Sequence, residues 1–170
     1  MVVNPLVRVG CAALTALPLL LAGPAAAAPS WRTEPTTLAS HATGQPKVVG
    51  LRWAEHARFD RVVIDLQGRR PGVRARYVER LRYDGSGRPV PLRGRHMLSV
   101  VLDPARAHDA AGRNTYTGPR LRQVDLPTLR GIAFTGDFEG VVSFGFTARA
   151  RPYRVFTLID PSRIVVDWRH

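Results

Sequence analysis

Short apolar runs with a period of two begin at residue 48 and continue to residue 168, separated by turn residues. Alternating side chains lie on opposite faces of an extended chain, so this pattern predicts β-strands. The predicted strands cover residues 48–56, 59–67, 73–83, 97–103, 121–126, 129–148 (a hairpin that turns at 136–140), 153–160 and 163–168. The second half of 73–83 also fits the spacing of a helix.

About eight strands with short connections predict an all-β domain, because a parallel α/β sheet needs a crossover helix between successive strands. The strands are expected to be mostly antiparallel and to form a β-sandwich or a barrel. Asp84-Gly85-Ser86-Gly87 and Asp160-Pro161-Ser162 predict tight turns between them. Residues 104–119 are predicted to form a long loop.

The first 28 residues have the pattern of a secretory signal peptide. Arg8 precedes an apolar run of about 15 residues, and four alanines follow it. The run is shorter than the roughly 20 residues of a membrane-spanning helix, and it contains Pro18. Cleavage after Ala27 or Ala28 is therefore expected, which makes the mature chain secreted, either free or associated with the cell wall. Retention of the segment as an anchor is the alternative.

Residues 29–46 are rich in Pro, Thr, Ser and Ala and show little hydrophobic periodicity. They predict a flexible linker before a domain at residues 47–170. The one cysteine, Cys11, lies at the start of the apolar run, where it does not fit a lipid-anchor site. The predicted mature chain thus has neither disulfides nor thiolate metal sites, and its fold must depend on core packing.

The chain carries 25 Lys+Arg residues against 13 Asp+Glu, for a formal net charge of +12. Such a charge attracts polyanions over a long range, and salt screens the attraction. Outside a bacterial cell these polyanions are wall polymers, anionic lipid head groups or released nucleic acid. No nucleotide-binding motif accompanies the charge, so a specific nucleic-acid partner is not expected.

One pattern occurs twice: an arginine, three aliphatic residues and an aspartate, at 61–65 and at 163–167. It fits either two strands of similar composition or two related strands in corresponding places of two packed sheets. An aspartate among buried neighbours needs an ionic partner, so the repeat predicts a structural role. The residues concerned are Arg61, Asp65, Arg163 and Asp167.

Two groups of residues are candidates for ligand binding. Long loops in compact β domains are often functional, and the candidates in the loop are Arg106, His108, Arg113, Asn114 and Tyr116. Tyr116 would either stack on a sugar ring or pack on the domain. A second group would line one face of a strand at 73–83, either as a row that binds phosphate or carboxylate or as a solvated face. Its members are Arg74, Arg76, Arg80 and Arg82.

Recognised catalytic motifs are absent from the sequence. The five histidines include neither an HExxH pair nor an i, i+4 pair, and Gly85-Ser86-Gly87 lacks the rest of a nucleophile elbow. Asp137 and Glu139 would share a strand face about 7 Å apart, a spacing at which two carboxylates can act on a glycoside. The glycines that flank them favour a solvated hairpin tip. The sequence therefore predicts no enzyme, no cofactor and no metal ion.

Several segments resemble one protein family: FDRVVIDL, YDGSGRPVPLRG, LDPARAHDAAGRNTYTGP, GDFEGVVSFGF and RVFTLIDPSRIVVDW. Over residues 48–170 the chain resembles the AMIN-like domain of secreted and lipid-anchored actinobacterial proteins. The most specific parts are Ala107-His108-Asp109, Thr115-Tyr116-Thr117-Gly118-Pro119 and Gly136-Asp137-Phe138-Glu139-Gly140. That family is similar to the AMIN domain of cell-wall amidases, a β-sandwich that serves as a non-catalytic targeting module and is thought to bind peptidoglycan.

The resemblance implies a β-sandwich with an envelope-binding role, and the missing lipobox implies a form without a lipid anchor. We therefore expect a secreted, non-catalytic module that recognises peptidoglycan or another anionic wall polymer, with an envelope protein as a further partner. The alternatives are a general polyanion or protein-interaction module and a secreted hydrolase that uses Asp137 and Glu139.

Overall fold

The computed structural model describes residues 28–170, so the predicted signal peptide lies outside the described residues except for Ala28. The described part consists of ten β-strands and contains no helix. The strands are β1 (Thr36–Leu38), β2 (Lys47–His56), β3 (Phe59–Gln67), β4 (Gly72–Val78), β5 (His96–Asp103), β6 (Leu121–Gln123), β7 (Leu129–Phe138), β8 (Val141–Ala148), β9 (Tyr153–Leu158) and β10 (Arg163–Arg169).

The strands form two antiparallel sheets that pack face to face as a β-sandwich. The large sheet has six strands in the order β1-β4-β5-β8-β7-β6, and the small sheet has four in the order β2-β3-β10-β9. All strand pairs in both sheets are antiparallel. The prediction of an all-β, mostly antiparallel fold is confirmed, and the two-layer arrangement favours the sandwich over the barrel.

Alternate residues of both sheets fill the space between them, as the period of two requires. Leu98, Val100 and Leu102 of β5 are fully buried in this core. Phe146 of the large sheet meets Trp168 of the small sheet, with ring centroids 5.4 Å apart. Because such rings each bury about 150–250 Å², contacts of this kind hold the two layers together.

Residues 79–95, which we call the outer segment, cross the outer face of the large sheet. The strand predicted at 73–83 therefore ends early, at Val78. Leu81 and Val90 of the outer segment are buried against Ala133 in a second, smaller core. The close approach needs a small residue beneath it, since a Cβ on Gly145 would lie 2.8 Å from a Leu81 methyl group. The turn predicted at residues 84–87 is confirmed and reverses this segment.

Residues 29–46, predicted as a flexible linker, instead lie along the sandwich. Their strand β1 pairs with β4, and the backbones of Arg32 and Tyr153 exchange two hydrogen bonds of 2.9 Å. The Tyr153 hydroxyl donates to the Glu34 carbonyl at 2.8 Å and lies 3.1 Å from the Thr36 hydroxyl. Backbone pairing and polar contacts order the segment together with a few apolar contacts, such as that of Trp31 with Phe59, and these leave no hydrophobic period in the sequence.

The two strands with the repeated arginine–aspartate pattern, β3 and β10, are neighbours in the small sheet rather than equivalent strands of two sheets. Their antiparallel register places Arg61 opposite Asp167 and Arg163 opposite Asp65. Arg61 binds the fully buried Asp167 through two hydrogen bonds of 2.7 and 2.9 Å. Asp65 is bound by Arg52 and not by Arg163, whose Nε donates to the Pro161 carbonyl.

Candidate functional site

A pocket of about 580 Å³ opens at one edge of the large sheet. Its walls come from the loop at residues 104–119 and from Arg120, from residues 134–137 of β7, and from Tyr83 of the outer segment. The short strand β6 pairs with β7 only as far as Ala133. Beyond that point the edge of β7 is free of a neighbouring strand, and the pocket occupies this space.

The loop wall is held in shape by hydrogen bonds within the loop itself. The Asp109 carboxylate accepts from the Arg113 side chain at 2.7 Å and from the backbone amides of Ala111 and Arg113 at 2.9 Å. These bonds, the Arg113 side chain first, lower the pKa of Asp109 below its ordinary value. His108 and Asn114 pair across the turn as a β-bridge, so both side chains reach the pocket.

The acidic part of the pocket is Asp137, near the end of β7. A register shift between Phe134 and Gly136 places Asp137 opposite the core residue Val142 and turns it toward the loop. His108 Nδ1 lies 2.8 Å from Asp137 Oδ2. The other carboxylate oxygen, Oδ1, is buried and has no hydrogen-bond partner among residues 28–170. Asp137 thus places a carboxylate in the wall of the pocket.

The basic part of the pocket is Arg120. Its guanidinium lies 4.9 Å from the centre of the Phe134 ring, and its Nη2 donates to Asn114 Oδ1 at 2.8 Å. These two contacts fix the position of the cation. Within the described part of the chain, Arg120 forms no salt bridge. The pocket therefore holds two opposite charges that do not neutralise each other.

The family model of the AMIN-like domain matches residues 46–170. The chain belongs to the AMIN-like domain family. No curated protein and no solved structure matches the chain. The three most specific segments of this AMIN-like domain meet at the pocket: His108 and Asp137 line it, and Tyr116 packs behind it against Phe134.

Three of the five loop candidates do not line the pocket of this AMIN-like domain. Tyr116 is buried in the core, its ring 4.8 Å from that of Phe134 and its hydroxyl donating to the Pro119 carbonyl. Burial raises the pKa of Tyr116. Its ring is therefore not free to stack on a sugar. Arg113 is held by Asp109, and Arg106 bonds through its backbone to Pro46 and Val48.

The predicted row of arginines does not form, because the strand that would align them ends at Val78. Arg74 and Arg76 are exposed on β4, and Arg74 lies 3.4 Å from Asp103. Arg80 and Arg82 lie in the outer segment, where Arg82 donates to the Gly87 carbonyl at 2.8 Å. The four residues thus belong to two different pieces of the surface.

Asp137 and Glu139 do not form the pair of carboxylates that the hydrolase alternative requires. Glu139 and Gly140 are the two residues of the β7–β8 turn, with φ values of 49° and 79°, which is the conformation of a type I′ hairpin. Glu139 is exposed and does not line the pocket. The partner of Asp137 is His108, 29 positions away in sequence, and no local spacing could reveal that pair. Within residues 28–170, the structure contains no cluster of three or more His, Cys, Asp or Glu residues suited to a metal ion.

Proposed function

We propose that this AMIN-like domain is a non-catalytic binding module of the bacterial cell envelope and that it recognises peptidoglycan through the pocket at the β7 edge. The observation that supports this proposal best is that the Asp137 carboxylate and the Arg120 guanidinium line one pocket that is open to solvent. Polar groups that are already held in a preformed cavity lose little freedom when a ligand binds, so their hydrogen bonds to it contribute to affinity. Hydroxyl, amide and amino groups of peptidoglycan are suitable donors.

The remaining walls suit a polar ligand of this kind. Asn114, Thr135 and Arg120 add hydrogen-bonding groups around the carboxylate, and the pocket is open to solvent on one side. Binding sites typically combine a preformed cavity with a few fixed polar groups that orient the ligand. The contacts of His108 with Asp137 and of Arg120 with Phe134 provide this fixed geometry.

The proposal includes secretion of the chain, which is supported by the signal-peptide pattern of residues 1–28. Residues 28–170 include no helix long and apolar enough to cross a membrane. Because the signal-peptide pattern supports export, a polymer outside the cytoplasm is the class of ligand that we propose.

A second candidate function, general binding of polyanions, is favoured by the net charge of +12 and by exposed arginines such as Arg74, Arg76 and Arg80. The two functions differ in their response to salt. Attraction between a diffuse positive surface and a polymer falls steeply as salt rises. Recognition in the pocket depends on fixed, partly buried hydrogen bonds and is screened less.

Co-sedimentation of the purified protein with peptidoglycan stripped of secondary polymers tests the proposal. We expect retention at about 0.5 M salt, where the Debye length is only a few ångströms. Asp137→Asn and Arg120→Ala should each reduce the bound fraction about tenfold, since each removes a charge-assisted hydrogen bond.

Arg76→Ala is the matched control, because it removes one exposed positive charge outside the pocket. If Arg76→Ala and Arg120→Ala weaken binding equally, and salt releases the protein, the chain binds polyanions without using the pocket. If the protein does not sediment with peptidoglycan at any salt concentration, the proposed function is wrong.

A further inference from the structure

We propose that the pocket recognises a zwitterionic group, an ammonium and a carboxylate on one carbon, at a free end of a peptidoglycan peptide. This inference rests on the proposed function and names the part of the polymer that is bound. It follows from the charges in the pocket, which are opposite in sign, fixed in place and not paired with each other.

The anionic side is Asp137, whose carboxylate is oriented by His108 through Oδ2. Its side chain is 17% exposed, and it lines the pocket. An ammonium group suits this carboxylate better than a neutral hydroxyl does, because it supplies a positive charge together with the proton.

The cationic side is Arg120, stacked on Phe134 and bonded to the Asn114 amide oxygen. The guanidinium has five N–H donors, so the bond to Asn114 leaves donors for a ligand. A carboxylate matches the planar guanidinium in shape and charge. Sugar hydroxyls alone would leave this cation without a counter-charge.

The other acids near the pocket are already engaged. Asp84 lies across Gly136 and accepts a hydrogen bond from the Ser143 hydroxyl, and Asp109 is held by Arg113. Among the aromatic rings at the pocket, Tyr116 is buried and Arg120 covers Phe134, which leaves Tyr83 for stacking on a sugar ring. With Asp84 and Asp109 engaged, the unlike charges of Asp137 and Arg120 favour the zwitterionic end of a peptide over the glycan strand.

Calorimetric titration of the protein with four probes tests this inference. The first probe is a peptidoglycan stem peptide that ends in a diamino acid with a free ammonium and a free carboxylate on one carbon. The second is the same peptide acetylated at that amine, and the third is the same peptide amidated at that carboxyl. The fourth consists of glycan strands freed of peptide. We expect the unmodified peptide to bind and each modification to weaken binding about tenfold or more.

Each protein variant should remove the effect of one chemical modification of the peptide. Asp137→Asn should weaken binding of the unmodified peptide but not of the acetylated one, and Arg120→Ala should spare the amidated peptide in the same way. Peptide-free glycan that binds as tightly as the unmodified peptide would overturn this inference and leave the proposed function intact. Equal binding of all three peptides would also overturn it. The titrations of the unaltered protein test the inference even if a variant does not fold.

Discussion

Asp167 is a single residue that organises the outer face of the small sheet. It is fully buried, and it binds both Arg61 at 2.7 Å and Arg154 at 2.8 Å. The hydrogen bond that Arg61 donates to Asp167 also raises the pKa of Arg61. The Arg154 guanidinium in turn lies 4.3 Å from the centre of the Trp31 ring. One carboxylate therefore compensates two cations and positions them over aromatic rings.

Asp167→Asn is expected to destabilise the protein by about 2–3 kcal/mol, because two half-buried guanidinium groups lose their counter-charge. Asp65→Asn is the matched control from the related strand. Its partner Arg52 is 58% exposed, so the loss there should stay below about 1 kcal/mol. Unfolding in urea, an uncharged denaturant that does not screen ion pairs, measures both changes when it is monitored by tryptophan fluorescence. Equal losses would show that burial of Asp167 is not what gives its ion pairs their strength.

Tyr116 acts as a core residue, and its substitution should affect stability rather than binding. Tyr116→Phe removes the hydrogen bond to the Pro119 carbonyl and is expected to cost about 1 kcal/mol. Tyr116→Ala also leaves a cavity beside Phe134 and Phe144 and should cost about 3–5 kcal/mol. Peptidoglycan co-sedimentation of folded Tyr116→Phe should match that of the unaltered protein. Weaker sedimentation of this variant at unchanged stability would place the ring in the binding site.

Sequence reasoning reached some of these residue contacts and missed others for a physical reason. Arg61 and Asp167 lie in a repeated pattern, and in antiparallel neighbours such a pattern places each arginine opposite an aspartate. His108 lies in a loop and Asp137 in a strand, and their contact depends on the register shift in β7. Such a shift has no local signature in the sequence. The alternation pattern could not tell a sugar-binding Tyr116 from a buried one.

At the level of elements, the N-terminal segment and the outer segment differ most from the sequence prediction. Residues 29–46 are short of apolar residues, yet β1 completes one edge of the large sheet through backbone pairing with β4. The strand predicted at 73–83 extends into the outer segment, but Leu81 and Val90 of that segment instead cover small side chains on the sheet beneath. Seven strands lie within about two residues of their predicted positions, because at least one face of each is buried: β2, β3, β5, β7, β8, β9 and β10. β6, predicted at 121–126, ends at Gln123 and is exposed.

The N-terminal segment should be held to the domain by Trp31. Trp31→Ala removes contacts with Arg154 and Phe59 and is expected to cost about 1–2 kcal/mol. Glu34→Ala is the control, since only the backbone carbonyl of Glu34 binds Tyr153. Hydrogen exchange should show faster exchange of the β1 amides in Trp31→Ala alone. Unchanged β1 protection would mean that backbone pairing with β4 is sufficient.

At the scale of the whole molecule, stability should fall in alkaline solution. Burial raises the pKa of Tyr77, Tyr116 and Tyr153. In the unfolded chain these phenols lose their protons near pH 10, whereas in the folded protein they remain protonated. Folding stability is therefore fully present below about pH 10 and decreases as the pH rises above it. Unfolding curves recorded between about pH 9 and pH 11 measure the decrease, which Tyr116→Phe should reduce. Equal stability across this range would contradict the assigned burial.

The strand order of the small sheet has a consequence for the timing of folding. β10 lies between β3 and β9, although it is the last of the ten strands to leave the ribosome. Until it emerges, β3 lacks one of its two neighbours and β9 has none in its sheet, and the buried Trp168 is missing from the core. Pairing over about 100 residues is slow, and the small sheet cannot close before β10 has been synthesised. Under the proposed export, a channel that accepts only extended polypeptide would meet this chain while its small sheet is still open.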